Sequence, residues 1–253
     1  MRLSLWSHPR SRSTALERYF ANRGDVTTYH EVLADYYYIY RRAEAIGHAA
    51  LDGDRGRSYR EAADLLLAPA PRPVMHKDFP YHAIDELLAD PRWLNGTHLL
   101  LVRDPRETLY SHLKLRGTIT AKNFGYADLG RWYRHLTDAG ARLLVIDSER
   151  LNDDAARVIE GICAFAGLPF EPAHLRWEAG LSQDWSKWAG WHVDVAHSHG
   201  FGQPSAMPPG WTVPDELAGV FAEAVAVHAE LAAATHLGHR GTDVARTAAE
   251  ARR

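Results

Sequence analysis

Leu3-Ser4-Leu5-Trp6-Ser7-His8-Pro9-Arg10-Ser11-Arg12-Ser13-Thr14 is the stretch on which the reading of the chain turns. Leu3–Trp6 is a short apolar run of strand character. Ala15-Leu16-Glu17-Arg18-Tyr19-Phe20 repeats its apolar positions at helical spacing. A strand that passes into a helix through a loop dense in hydroxyls and guanidiniums makes an anion site. The helix N-terminus offers unpaired N–H groups and the positive end of its dipole. Ser11, Ser13 and Thr14 add hydroxyl donors, and Arg10 and Arg12 add forked guanidiniums, so a phosphate or sulfate is the natural guest. The competing reading is an ordinary strand-to-helix turn capped by serine.

Working outward, further strands are expected at Val26–Tyr29, Arg72–Asp78, His98–Val102 and Arg142–Ile146. The last two are continuous rather than alternating apolar runs, the pattern of a parallel sheet covered on both faces. Helical periodicity lies between them: Ala83–Ala89, Pro105–Lys114 with Pro105 in the first turn, Tyr126–Ala139, Asp153–Ala166 stopped by Gly167, and Pro214–Leu237. Residues 41–72 read as polar and helical, broken at Gly53–Arg57. Strand and helix alternate, which predicts a three-layer αβα fold around a central parallel sheet. Ligands of such sheets bind beyond the carboxyl ends of the strands. The first loop, Glu31, Lys77 and Arg103 should therefore share one crevice. We expect a single domain over residues 1–237 and a mobile polar tail over 238–253.

The chain has 253 residues, 46% of them hydrophobic and 24% charged, enough to bury a sizeable core. A net charge of −3 gives no support for nucleic-acid binding. The single cysteine, Cys163, excludes an internal disulfide framework and reads as a packed thiol. No signal-peptide core and no membrane-length apolar run is evident, so a cytoplasmic protein without membrane contact is expected. Residues 180–211 gather Trp185, Trp188, Trp191 and Trp211 with His192, His197 and His199. The histidines follow no ligand spacing and lack cysteine partners, so no metal is expected there. The tyrosines of Tyr36-Tyr37-Tyr38-Ile39-Tyr40 cannot all face one core, and they read as partly core and partly an aromatic wall.

Two motifs together resemble the sulfotransferases that use 3′-phosphoadenosine 5′-phosphosulfate (PAPS). Pro9-Arg10-Ser11-Arg12-Ser13-Thr14 is similar to that family's 5′-phosphosulfate loop, with Arg12 in place of its glycine. Arg103-Asp104-Pro105-Arg106 with Ser111 is similar to its 3′-phosphate motif in type and spacing. The resemblance extends to Leu143–Ile146 and to Ala164-Phe165-Ala166-Gly167-Leu168-Pro169-Phe170. It implies a P-loop-hydrolase-like fold and transfer of a sulfuryl group to a hydroxyl or amine of a small apolar or aromatic metabolite, releasing 3′,5′-bisphosphoadenosine (PAP).

On this resemblance Arg10, Ser11, Arg12, Ser13 and Thr14 hold the phosphosulfate, and Arg103 and Ser111 the 3′-phosphate. Trp185 and Lys187 belong to a late loop that closes over the nucleotide. Many members place a basic histidine two positions after a strand-end lysine; Lys77-Asp78-Phe79 keeps the lysine and puts Phe79 at the histidine's place. Other members use a glutamate at the end of the second strand, which His30-Glu31-Val32-Leu33 resembles. Glu31 is thus the expected base, with His82 and His30 in reserve, and Lys77 and Arg10 stabilise the leaving group. His30, Tyr37, Phe79 and Tyr81 are the expected acceptor contacts. The chemistry needs no metal, because arginine and lysine take the role of magnesium in phosphoryl transfer. Two alternatives stay open: another phosphorylated ligand and chemistry on the same fold, or nucleotide binding without catalysis.

Overall fold

The computed structural model describes residues 1–43, 54–180, 185, 187, 190–191, 193–202 and 207–235. The expected tail at 238–253 and the loop positions Trp188 and His192 lie outside these residues. Five strands form one parallel sheet: β1 (Arg2–Ser7), β2 (Thr27–His30), β3 (Val74–Asp78), β4 (Thr97–Val102) and β5 (Arg142–Asp147). Their order is β2-β3-β1-β4-β5. The chain thus leaves β1 in one direction to make β2 and β3, then crosses to the other side to make β4 and β5. The change of direction at β1 opens a crevice beyond the carboxyl ends of β1, β3 and β4.

Successive side chains of each strand point to opposite faces, and each face has its own core. Leu3, Leu5, Leu99, Leu101 and Ile146 pack with Leu16, Tyr19 and Phe20 of α1 (Ser13–Asn22). Ile159 and Ile162, which belong to the 155–166 helix, complete that layer. Trp6, Leu100, Val102 and Val145 face the other way. They pack with helices that include α2 (Val32–Ala34), α3 (Tyr59–Leu67), α4 (Ile84–Ala89) and the later 126–138 and 218–233 helices. Every residue of β4 is buried, which accounts for its unbroken apolar sequence.

The remaining helices are α5 (Pro105–Arg116), α6 (Ala121–Phe124), α7 (Tyr126–Asp138), α8 (Arg150–Asp153), α9 (Ala155–Ala166), α10 (Val193–Ala196) and α11 (Ala218–Ala233). Asp104 caps α5 by accepting from Arg106 N at 2.8 Å and Glu107 N at 3.0 Å, with Pro105 following at the first helical position. Gly167 (φ 71°) ends α9. The helix expected over 153–166 is divided at Asp154, whose carboxylate caps α9 at Arg157 N. The last helix begins at Ala218 rather than Pro214, after a 3-10 turn at Asp215–Leu217. The tyrosine run continues α2 as a π-helical stretch, Asp35–Tyr40, with Tyr36 and Tyr37 buried and Tyr40 exposed.

Polar groups are also built into the sheet. Trp6 packs edge-on against Trp93 and Trp132, and its Nε1 donates to His98 Nδ1 at 3.1 Å. His76 Nε2 lies 2.8 Å from Ser4 Oγ. Burial pushes the imidazole of His76 down to about 3 and that of His98 to about 4, so both are neutral in the native protein. Among the described residues no helix is long and apolar enough to cross a membrane.

Candidate functional site

The loop from β1 to α1 turns through two left-handed residues, Arg10 (φ 63°) and Arg12 (φ 70°). That conformation costs a side-chain-bearing residue about 1–2 kcal/mol, whereas glycine adopts it freely. The Arg12 side chain offsets the cost by anchoring the loop to the turn after β5. Its Nη1 donates to Ser148 O (3.2 Å) and lies 2.9 Å from Ser148 Oγ and 3.0 Å from Glu149 Oε1. The Arg12 carbonyl accepts from Ala15 N and Leu16 N and so starts α1. The first-turn N–H groups of α1 then point at the crevice end of the sheet.

The second cationic segment is bound to this loop. Arg103, just beyond β4 and 4% exposed, donates from Nη1 to Arg10 O at 3.0 Å and from Nη2 to Glu107 Oε2 at 3.2 Å. Arg10 in turn donates from Nε to Ser111 Oγ of α5 at 3.0 Å and from Nη1 to Trp191 O at 3.1 Å. His8 joins the two segments at backbone level. Its Nε2 accepts from Arg103 N at 3.1 Å, and its Nδ1 lies 3.0 Å from Pro9 O. Only the tautomer with the proton on Nδ1 satisfies both contacts. Burial pushes His8 down to about 3, which keeps Nε2 an acceptor at neutral pH. The ring stacks on Tyr126 at 4.0 Å, and the Tyr126 hydroxyl donates to Arg103 O at 2.6 Å. Gly125 makes room for this stack: a Cβ there would lie 3.0 Å from Pro9 Cδ and 3.2 Å from His8 Cβ.

The opposite side of the crevice is built at the ends of β2 and β3. Glu31 adopts φ 43°, held by Glu31 N donating to Lys77 O and Ala34 N donating to Glu31 O. Asp78 fixes the same turn by accepting from Leu33 N at 2.7 Å. The Lys77 ammonium, 1% exposed, donates to Glu31 Oε1 and sits 4.1 Å above the Phe79 ring. Phe79 and Tyr81 are nearly parallel, and the Tyr81 hydroxyl lies 2.8 Å from that of Tyr38.

These groups line one crevice of about 580 Å³, within the range of small-molecule sites. Its anion side carries Arg10, Arg12, Ser13, Thr14, Arg103 and Ser111; its other side carries Glu31, Lys77, Phe79 and Tyr81. The other six expected residues lie outside its lining. Ser11 is fully buried beneath the loop. His82 is held by Asp78 at 2.6 Å behind the aromatic wall, and Tyr37 is buried beside it. His30 turns toward Glu17 of α1 at 2.7 Å. Trp185 is also laid on α1, its Nε1 3.4 Å from Glu17 Oε1. Lys187 pairs with Asp35 (2.6 Å) and Asp54 (2.8 Å), which leaves its ammonium tied away from the crevice. The late loop instead contributes Trp191, His197 and Ser198, and the flanking helices add Tyr38, Tyr110 and Asn152. Sequence reasoning read the tyrosine run as partly an aromatic wall and named Tyr37 from it; the residue of the run that lines the crevice is Tyr38. Sequence reasoning missed His8 although that residue begins the loop.

Comparison with known proteins gives a consistent picture. A family model described as a sulfotransferase domain matches residues 1–230. The fold is similar to the sulfotransferase domain of the Synechococcus PCC 7002 olefin synthase, with a TM-score of 0.58 at 17% identity, covering 92% of this chain and 94% of that one. It is also similar to a sulfotransferase from Alicyclobacillus acidocaldarius, with a TM-score of 0.54 at 17% identity and coverage of 94% and 96%. In sequence the chain is 27% identical over 215 residues to the branched-chain-amino-acid aminotransferase-like protein 2 of Arabidopsis thaliana. That match covers 80% of this chain and 36% of the relative, so the chain spans little more than a third of that protein.

Proposed function

The chain belongs to the sulfotransferase domain family, and from that premise we propose that it transfers the sulfuryl group of PAPS to a hydroxyl of a small apolar or aromatic acceptor, releasing PAP. The observation that carries this reading is the Arg103–Arg10 O contact, which brings the cation of the second motif against the loop of the first, both on one crevice. PAPS is a ligand with negative charge at two ends, and the crevice offers two groups of anion donors. The α1 N-terminus, Arg10, Ser13 and Thr14 hold the phosphosulfate; Arg103 and Ser111 hold the 3′-phosphate.

The acceptor oxygen attacks sulfur as the bond from sulfur to the bridging phosphate oxygen breaks. Glu31 takes the acceptor proton, and Lys77 and Arg10 stabilise the charge that grows on the departing phosphate. Lys77 is paired with Glu31 at rest, so a shift of the ammonium toward the phosphate frees the carboxylate to act as base. Phe79, Tyr81 and Tyr38 form the acceptor wall. The aminotransferase-like name of the Arabidopsis relatives is not carried over, because the chain spans so small a part of them.

The test is incubation with PAPS and a panel of phenols, aliphatic alcohols and amines, with sulfate esters and sulfamates read by mass spectrometry. Ester formation that requires Arg103 is expected. A second reading, nucleotide binding without transfer, is favoured by Phe79 at the position where many relatives carry the base; PAP binding with no product from any acceptor would select it.

A further inference from the structure

One residue of the first motif has no task in the reaction above. Arg12 stands where the resembled loop carries glycine, and it holds the left-handed conformation that glycine adopts freely (φ 70°). All three nitrogens of its guanidinium are engaged by protein groups. Nη1 meets Ser148 and Glu149 in the turn after β5. Nε and Nη2 meet Asn152 of α8. The amide orientation that satisfies both neighbours of Asn152 puts its oxygen 3.2 Å from Arg12 Nε and 2.9 Å from Arg12 Nη2, and its nitrogen 2.8 Å from Gly202 O. The reverse orientation would set donor against donor and acceptor against acceptor. Arg12, Asn152 and Gly202 therefore form one hydrogen-bonded chain from the anion loop to the end of the late loop. That end is also held to residues 176–180: Gly180 N donates to Ala196 O at 2.8 Å, Trp177 N donates to His199 O at 3.2 Å, and Arg176 bridges Gly200. Gly200, Phe201 and Gly202 line the crevice together with Arg12 and Asn152.

We propose that Arg12 and Asn152 form a strut that sets the Gly200–Gly202 backbone at the crevice, and that Arg12 serves the nucleotide through this strut rather than as a ligand of its phosphosulfate. The effect on the nucleotide rests on the sulfotransferase reading; the strut itself does not. Two N–H groups of a planar guanidinium converging on one oxygen fix the plane of the Asn152 amide. The amide N–H then has one direction left, toward Gly202 O. A glycine at position 12 would relax the loop and leave Asn152 without the partner that orients it. The strain of a left-handed arginine is thus offset by the ordering of a crevice wall. The anions of the nucleotide are left to Arg10, Arg103 and the α1 N-terminus. Arg12 and Asn152 touch no reacting atom in this scheme and are positioning residues.

The test is a double-mutant cycle on the full chain with Arg12→Gly, Asn152→Ala and the pair combined, read by PAP affinity. Each single variant should weaken PAP by about five- to tenfold, the worth of one hydrogen bond. The double variant should lose no more than either single one, because both remove the same link. Loss confined to Arg12→Gly, or losses that multiply in the double variant, would mean that Arg12 holds the nucleotide directly and would overturn the proposal. A second readout needs no nucleotide. Hydrogen exchange of the unliganded chain over residues 193–202 should quicken in both single variants, and unchanged exchange also overturns the strut. If Asn152→Ala does not fold, Asn152→Asp keeps an acceptor for Arg12 and removes the donor to Gly202, and should quicken the same exchange. Failure of PAP to bind the intact chain would remove the sulfotransferase reading, while the exchange measurement still decides the strut.

Discussion

The two sides of the crevice are built on different principles. On the anion side, cations are fixed by backbone oxygens and by one another's loops: Arg103 on Arg10 O, Arg10 on Trp191 O, Arg12 on Ser148 O. Arg12 and Arg103 also meet the carboxylates of Glu149 and Glu107, at 3.0 and 3.2 Å, so an anionic ligand that reaches these guanidiniums would share them with the protein. On the acceptor side, polar groups are matched within the protein, Lys77 with Glu31 and His82 with Asp78, under a wall of aromatic rings. The first side is suited to binding. In the proposed reaction the second holds Glu31 and Lys77 paired until the ligand draws the ammonium away. Variants on the anion side should therefore act on affinity, and variants on the acceptor side on turnover.

The largest expected effect is on the acceptor side. Glu31→Gln should lower turnover with PAPS by ~10²–10⁴, about 3–5 kcal/mol of barrier, while the PAP dissociation constant stays within about threefold. Loss of PAP binding along with turnover would show that the two sides are not separable. Next comes Arg103→Ala, which should weaken PAP by on the order of 100-fold, about 3 kcal/mol, read by calorimetry; an effect on turnover without one on affinity would reverse the assignment.

A smaller effect concerns His8. Its folded value of about 3 lies below the ordinary 6.5, so the unfolded chain binds a proton that the native protein refuses. Its contribution to stability is complete above pH 6.5 and is lost as pH falls toward the folded value. Between pH 7 and pH 5 that loss is about 2 kcal/mol. Urea unfolding of the unmodified chain and of His8→Gln should diverge by that amount in their pH dependence, and parallel curves would contradict the buried neutral imidazole. The smallest effect is at Arg12. Arg12→Gly removes about 1–2 kcal/mol of left-handed strain and loses the contacts to Ser148 and Glu149, so the net change in stability should stay within about 1 kcal/mol. A loss well beyond that in urea unfolding would mean that the anchoring of the loop outweighs its conformation.

The same division governs what the sequence discloses. Arg10 and Arg103 follow strands, and Lys77 lies near the end of one, whose carboxyl ends the fold must bring together, so alternation of strand and helix is enough to place them in one crevice. The sheet and the helix stop at Gly167 are legible for the same local reasons. His8 was not, because its role is an imidazole-to-backbone contact across 95 positions of chain that no spacing records. The late loop has no periodicity to read, and Trp185 and Lys187 were expected at the nucleotide. The structure places Trp185 on Glu17 and Lys187 on Asp35 and Asp54, partners that only tertiary packing brings near. His30 and His82 were legible as imidazoles near the crevice, but their orientation depends on which buried carboxylate, Glu17 or Asp78, reaches them first.

The most direct test of the account is calorimetric titration of the intact chain with PAP, repeated on Arg103→Ala. The account predicts one site of micromolar-scale affinity, on the order of −8 kcal/mol, weakened about 100-fold in the variant. Absence of binding to the intact chain would contradict it, and would leave the crevice as an anion site for some other ligand.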